Sequence, residues 1–139
     1  MIRTVKVHMH RGIVSGIQAV YATEEEAMVD GDEHVGSAVT GTEDDTVELV
    51  SLVKGEYIIK ITGKTDGFIR QLSFHTDNGR VLSVPESSTA EFEFDLGIPE
   101  RSAVIAFSGE TQVYLNKLSA VYLQLDSVSA EQISPLTRN

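Results

Sequence analysis

The sequence predicts an all-β domain built from three pseudo-equivalent sheets. In residues 55–82, GEYIIKITGKTDGFIRQLSFHTDNGRVL, two alternating runs (57–62 and 68–76) flank the polar, glycine-containing stretch 63–67, and a third follows Asp77-Asn78-Gly79. Asn-Gly favours the positive φ angles of a tight hairpin, so short antiparallel strands are expected. The stretch also recurs. Tyr57 to Gly63 followed by Ile69, Leu72, Phe74 and Thr76 has a counterpart in Ala103 to Gly109 followed by Leu115, Leu118, Ala120 and Tyr122, and a weaker one in Val5-Lys6-Val7 followed by Val14, Ile17, Ala19 and Tyr21. Val47-Glu48-Leu49 precedes the second copy as Phe92-Glu93-Phe94 precedes the third. A period of roughly 50 residues used three times implies one supersecondary unit repeated around a shared core.

In chain order, residues 4–10 read as a strand with Val5, Val7 and Met9 on one face and Lys6, His8 and His10 on the other. His8 and His10 share a side, a spacing that holds a metal only with a third ligand; two half-exposed histidines is the simpler reading. Arg11-Gly12 turns the chain into a strand over 13–22, and the acidic segment 23–36 is expected to be irregular, with Asp30-Gly31 as a turn signal. Strands follow at 35–40 and 46–52. After the organising stretch, 81–84 ends at Pro85, and 90–96 alternates Phe92 and Phe94 with Glu91, Glu93 and Asp95, as a strand with one buried and one wet face does. Strands at 103–108 and 113–125 complete the third copy. The tail, 126–139, contains one stretch that reads equally as a helical turn or a short strand before Pro135.

The 139 residues fit one domain, with a repeat core over about 4–125. Apolar residues make up 41% and charged residues 23%, the balance of a folded globular protein. A net charge of −10 and the lack of any basic stripe argue against nucleic acid as a partner, because phosphate contacts need clustered Lys and Arg. No apolar run approaches a membrane span, so no membrane insertion is expected and the compartment stays open. The acids of 24–26, 30–33 and 43–45 read as solvated loops. With no cysteine there is no thiolate chemistry, and no cofactor, phosphate loop or Ser-His-acid order stands out.

The succession GEYIIKITGKTDGFIRQLSFHTDNGRV, then AVIAFSGETQVYLNKLSAVYL, resembles the jacalin-related lectins over about residues 4–125. The resemblance implies a type I β-prism of three four-stranded Greek-key sheets with pseudo-threefold symmetry. It further implies a non-catalytic domain that binds mono- or oligosaccharides, of mannose or galactose type, through shallow loops at one end. Family members use Gly-x-x-x-Asp, in which the glycine admits the sugar to the backbone and the carboxylate accepts from two hydroxyls. The matching residues here are Gln112-Val113-Tyr114-Leu115-Asn116, so the glycine has become Gln112 and the acid Asn116. Asn116 offers one acceptor and one amide donor, and Tyr114 a ring face and a hydroxyl.

Aligning Ile17, Leu72 and Leu118 places Ser15 and Arg70 at the positions matching Asn116. In the second repeat, Asp66 beside Phe68 joins an acid to an aromatic, a pair that can hold a sugar and also an ordinary hairpin tip. The family's opening Gly-rich strand is missing, which leaves an edge to be covered by residues 128–136, a second copy or a longer parent chain. A protein-interaction or structural module with a lost sugar site is the alternative. A glycosidase would need two facing carboxylates about 5 to 10 Å apart in a cleft.

Overall fold

The computed structural model describes residues 1–36, 45–112 and 114–125, which form ten strands and no helix. In chain order these are β1 (Ile2–His10), β2 (Ile13–Ala22), β3 (Met28–Val35), β4 (Asp45–Ser51), β5 (Ile58–Thr65), β6 (Ile69–Thr76), β7 (Val81–Val84), β8 (Phe92–Asp95), β9 (Ser102–Thr111) and β10 (Leu115–Gln124). The first sheet has the order β3-β2-β1-β4 and the second β7-β6-β5-β8, all neighbours antiparallel. In each, the fourth strand returns to lie beside the first, which is a Greek key. The third sheet contains β9 and β10 alone among the described residues. Among the described residues the expected repeat is therefore present as two four-stranded units and one hairpin.

The inward faces meet in one core. Val5, Val7 and Met9 of β1 are buried as their alternation requires, with Ile17 of β2, Ile58 and Ile61 of β5, Leu72 and Phe74 of β6, and Val104 and Phe107 of β9. The Phe74 and Phe107 rings meet edge to face, 6.3 Å apart, a favoured aromatic geometry. Glu56, just before β5, is buried yet charged: its carboxylate accepts from Arg80 Nε at 2.8 Å and Nη2 at 2.5 Å and from the Val53 amide at 3.0 Å. Arg80 hydrogen bonding, against the opposing cost of burial, holds the Glu56 pKa at about 2.

Three expectations need correction. Residues 28–35 are a strand rather than irregular, and Gly31 lies inside it, not in a turn. The register slips between Gln18 and Val20 of β2, Gln18 Nε2 donates to the Gly31 carbonyl at 2.9 Å, and a Cβ on Gly31 would sit 2.8 Å from the Tyr21 ring. An outer strand tolerates so many acids because its side chains are largely solvated. Secondly, β5 runs through Gly63 to Thr65, where Phe94 of β8 crosses so closely that a Cβ on Gly63 would lie 2.4 Å from its ring. Thirdly, Phe94 is half-buried there, but Phe92 is 60% exposed, because β8 begins beyond the cover of the core. The strand expected at 35–40 and the tail at 126–139 fall wholly or mainly outside the described residues.

Candidate functional site

Each repeat opens with a tight hairpin, and the three turns gather at one end of the molecule. Arg11 and Gly12 join β1 to β2 with φ of 51° and 78°, the left-handed pair that suits a two-residue turn. Asp66, Gly67 and Phe68 join β5 to β6, closed by the Asp66 amide donating to the Phe68 carbonyl at 3.2 Å. Between β9 and β10 the Gln112 amide donates to the Tyr114 carbonyl at 3.1 Å. Side chains link the turns: the Tyr114 ring meets Phe68 edge to face at 5.3 Å and stands 6.2 Å from His10, while Arg70 Nη1 donates to the Gly12 carbonyl at 3.5 Å.

Just after each turn the ladder carries the same irregularity. Between the pairs His8↔Gly16 and Met9↔Val14, β2 holds one extra residue, Ser15; between Lys64↔Gln71 and Thr65↔Ile69, β6 holds Arg70; and between Thr111↔Leu115 and Glu110↔Lys117, β10 holds Asn116. These are the positions that the alignment on Ile17, Leu72 and Leu118 makes equivalent. A bulge bends its strand and re-aims one side chain, so the fold presents one redirected residue per repeat. Their settings differ. Ser15 is buried and its hydroxyl has no partner among the described residues, Arg70 is half-buried and ion-paired, and Asn116 is exposed with its amide unpartnered among the described residues.

Asp66 is already occupied. Arg70 Nε donates to both its oxygens, at 3.0 and 3.1 Å, and the Phe68 amide to one of them at 3.4 Å. Arg70 chiefly draws its pKa below the usual carboxylate range. The Arg70 guanidinium also lies 5.7 Å from the centre of the half-exposed Phe68 ring. Beside this pair runs an open groove of about 710 Å³, lined by Gly12, Asp66, Arg70 and the 85–91 segment. That segment is pinned by Gln71 Nε2 donating to the Pro85 carbonyl at 2.8 Å and Lys64 Nζ to the Ser88 carbonyl at 3.3 Å.

Of the residues singled out from sequence, Asp66, Phe68 and Tyr114 are thus brought together, with Gln112 exposed in the same turn as Tyr114 and Asn116 two residues beyond Tyr114. Val113 lies outside the described residues. Sequence reasoning missed the Asp66–Arg70 pair, for which an acid and a base four residues apart across a glycine turn was an available signal. It also missed the 85–91 wall, for which nothing local gave one. His8 and His10 do share a face, but His10 Nδ1 bonds Asp45 Oδ1 at 2.6 Å, and no group of three or more His, Cys, Asp or Glu fit to hold a metal occurs among the described residues. His34 and His75 are tied rather than free: His34 Nε2 meets the Phe107 carbonyl at 3.1 Å and His75 Nε2 meets Thr62 Oγ1 at 3.0 Å.

The family model described as "Jacalin-like lectin domain" matches residues 1–121. Zymogen granule membrane protein 16 of Rattus norvegicus is 29% identical over 91 residues, which are 66% of this chain and 48% of that protein, so the chain matches about half the length of this curated relative. The galactose-binding lectin from Champedak superposes with a TM-score of 0.68 at 24% identity, covering 88% of this chain and 91% of that one. Artocarpin, solved in complex with mannotriose, gives 0.66 at 18% identity, covering 88% and 83%. These superpositions share the all-β arrangement described above.

Proposed function

The chain belongs to the jacalin-like lectin domain family, and from that premise we propose that it binds carbohydrate, without catalysis, at the end where its three hairpin turns meet. The observation that carries the reading is the meeting itself: an aromatic pair, Phe68 and Tyr114, with the bulged Arg70 beside Phe68 and the bulged Asn116 two residues beyond Tyr114 in the chain. Sugars present hydroxyls at fixed angles beside small apolar faces, so a rigid ring edge flanked by donors and acceptors suits them. Asn116 accepts from one hydroxyl and donates to another, and Gln112 and Tyr114, with Val113 between them, supply the rest of that loop. Asp66, held by Arg70, presents its carboxylate as a fixed acceptor next to Phe68. A hydrogen-bonded acid is already ordered, so less side-chain entropy is lost when a hydroxyl joins it.

Relatives differ in sugar: the Champedak protein is a galactose-binding lectin and artocarpin was solved with mannotriose. Both classes belong in the test. A glycan array probed with the chain and with Asn116→Ala should give a selective signal that the substitution weakens. An equal signal from both proteins moves the site to the Asp66 groove, and silence from both ends the reading.

A second reading, a protein-interaction module with a spent sugar site, is favoured by the replacement of the family's acid with Asn116 and by the absorption of Asp66 into an ion pair. Partner binding untouched by Asn116→Ala would support it.

A further inference from the structure

Strands β4 and β7 are outer strands of the first and second sheets, and they lie side by side where those sheets meet. Between them runs an open groove of about 540 Å³, lined by residues 48–51 on one wall and by residues 81–84 and Glu86 on the other. It reaches down to the core, because two of its lining residues, Val50 and Val84, are only 4% and 5% exposed. Its upper walls are apolar as well: Leu49 is 61% exposed and Val81 55%. Apolar side chains that adjoin along a groove, rather than lying scattered, mark a surface of contact.

Two features suit this groove to an extended chain. The first is the backbone of β7. It pairs with β6 alone, and the chain on either side of it, residues 45–80 and 85–112, lays no strand along its other edge. Alternate residues of an outer strand aim N–H and C=O groups away from their own ladder, and a strand so placed accepts another. β7 itself, Val-Leu-Ser-Val, carries no charge to discourage that. The second feature is that the walls are tied in advance. Arg80, just before β7, donates through Nη2 to the Ser51 carbonyl of β4 at 3.2 Å, and its Nε is held by the buried Glu56 at 2.8 Å. A groove whose walls are already fixed loses little freedom when it is filled.

The same clamp sets the charge. Glu56 neutralises Arg80, so the groove keeps two acids, Glu48 and Glu86, and no base in its lining. We propose that it takes a short extended segment of a partner protein, hydrogen-bonded along the outer edge of β7, with apolar side chains over Val50 and Val84 and basic side chains toward Glu48 and Glu86. An extended chain points successive side chains to opposite sides, so a segment that alternates basic and apolar residues meets both demands. The basic residues belong at the end away from Arg80, since Arg80 precedes β7 and Glu86 follows it. The four residues of β7 keep the paired length short. None of the hairpin-turn residues lines this groove, so the pairing does not depend on whether the turns bind sugar.

Amide NMR spectra of the isotope-labelled full chain, titrated with a short peptide alternating Lys and Val and separately with its Glu-Val counterpart, test the proposal. The Lys-Val peptide should shift the amides of β7, of residues 48–51 and of Glu86 saturably, slow the exchange of outward β7 amides, and bind less tightly as ionic strength rises. Glu48 and Glu86 are exposed, so the double variant Glu48→Lys, Glu86→Lys should keep the wild-type spectrum elsewhere, bind the Lys-Val peptide about tenfold more weakly and now accept the Glu-Val peptide. Asn116→Ala should leave the titration unchanged. No saturable shift, shifts confined to the hairpin turns, an equal response to both peptides, or an affinity indifferent to the charge reversal would each overturn it.

Discussion

The β5–β6 and β9–β10 hairpins are one backbone device in two settings. Each ends in a tight turn followed by a single bulged residue, and each sets a glycine where a Cβ would strike a partner-strand carbonyl, Gly63 against Gln71 and Gly109 against Lys117. In the first, Ile61, Leu72 and Phe74 are fully buried, β7 and β8 flank the pair, and the bulged Arg70 is locked to Asp66. In the second, Leu118 and Ala120 only lean on the core and the bulged Asn116 reaches open solvent. The bulge supplies position alone; the neighbours decide whether its side chain serves the fold or stays available.

Truncating equivalent core residues tests this contrast most severely. Leu72→Ala should cost about 2–5 kcal/mol of unfolding free energy, whereas Leu118→Ala should cost about 1–2 kcal/mol, because less apolar area leaves water there on folding. Equal losses in denaturant titrations would show the two hairpins to be packed alike. Next, Glu56→Gln removes the charge beside Arg80 and should cost about 1–3 kcal/mol.

The same substitution has a pH signature. With a folded pKa at about 2 against an ordinary 4.5, Glu56 contributes stability that is fully present above pH 4.5 and lost as pH falls toward 2. Melting temperatures of the wild type should therefore drop more steeply across that window than those of Glu56→Gln. Parallel slopes would deny the carboxylate its anchoring role.

Smaller effects sharpen the comparison at the bulge itself. Asn116→Ala should change stability by less than about 0.5 kcal/mol and weaken glycan binding about three- to tenfold, the worth of one hydrogen bond lost. Asn116→Asp restores a second acceptor and should strengthen binding, since charge-assisted bonds are roughly twice as strong as neutral ones. An array signal that falls with both substitutions would mean that the amide's donor, not its acceptor, meets the sugar.

Much of the fold was legible in the chain. The alternation of Val5, Val7 and Met9, the Asn78-Gly79 turn and the recurrence of Ile17, Leu72 and Leu118 each report local geometry, and local geometry is what a sequence writes most plainly. Gly31 misled because glycine serves turns and mid-strand bulges alike, and the difference here lies in the Tyr21 ring above it. Phe92 misled because alternation gives the face of a strand and not the reach of the core that covers it. At the site, the Tyr114–Phe68 contact and the His34 bond to Phe107 join residues 46 and 73 positions apart, and nothing local announces such pairs.

The Greek-key closure of the first two sheets bears on the order in which the chain can assemble. β4 returns to β1 by Ser51 and β8 returns to β5 by Asp95. Among the described residues, every ladder and every other backbone-to-backbone hydrogen bond falls within one repeat; only side chains cross between repeats. Residues 1–51 therefore hold all the strands of their sheet before β5 has been synthesised, and what they lack is the apolar lid that later repeats bring. Early pairing should thus be local and quick, with the shared core consolidating last. Pulse-labelled amide exchange during refolding should find β1–β2 and β5–β6 protected before the melting-linked burial of Phe74 is complete, and simultaneous protection of all strands would refute that order.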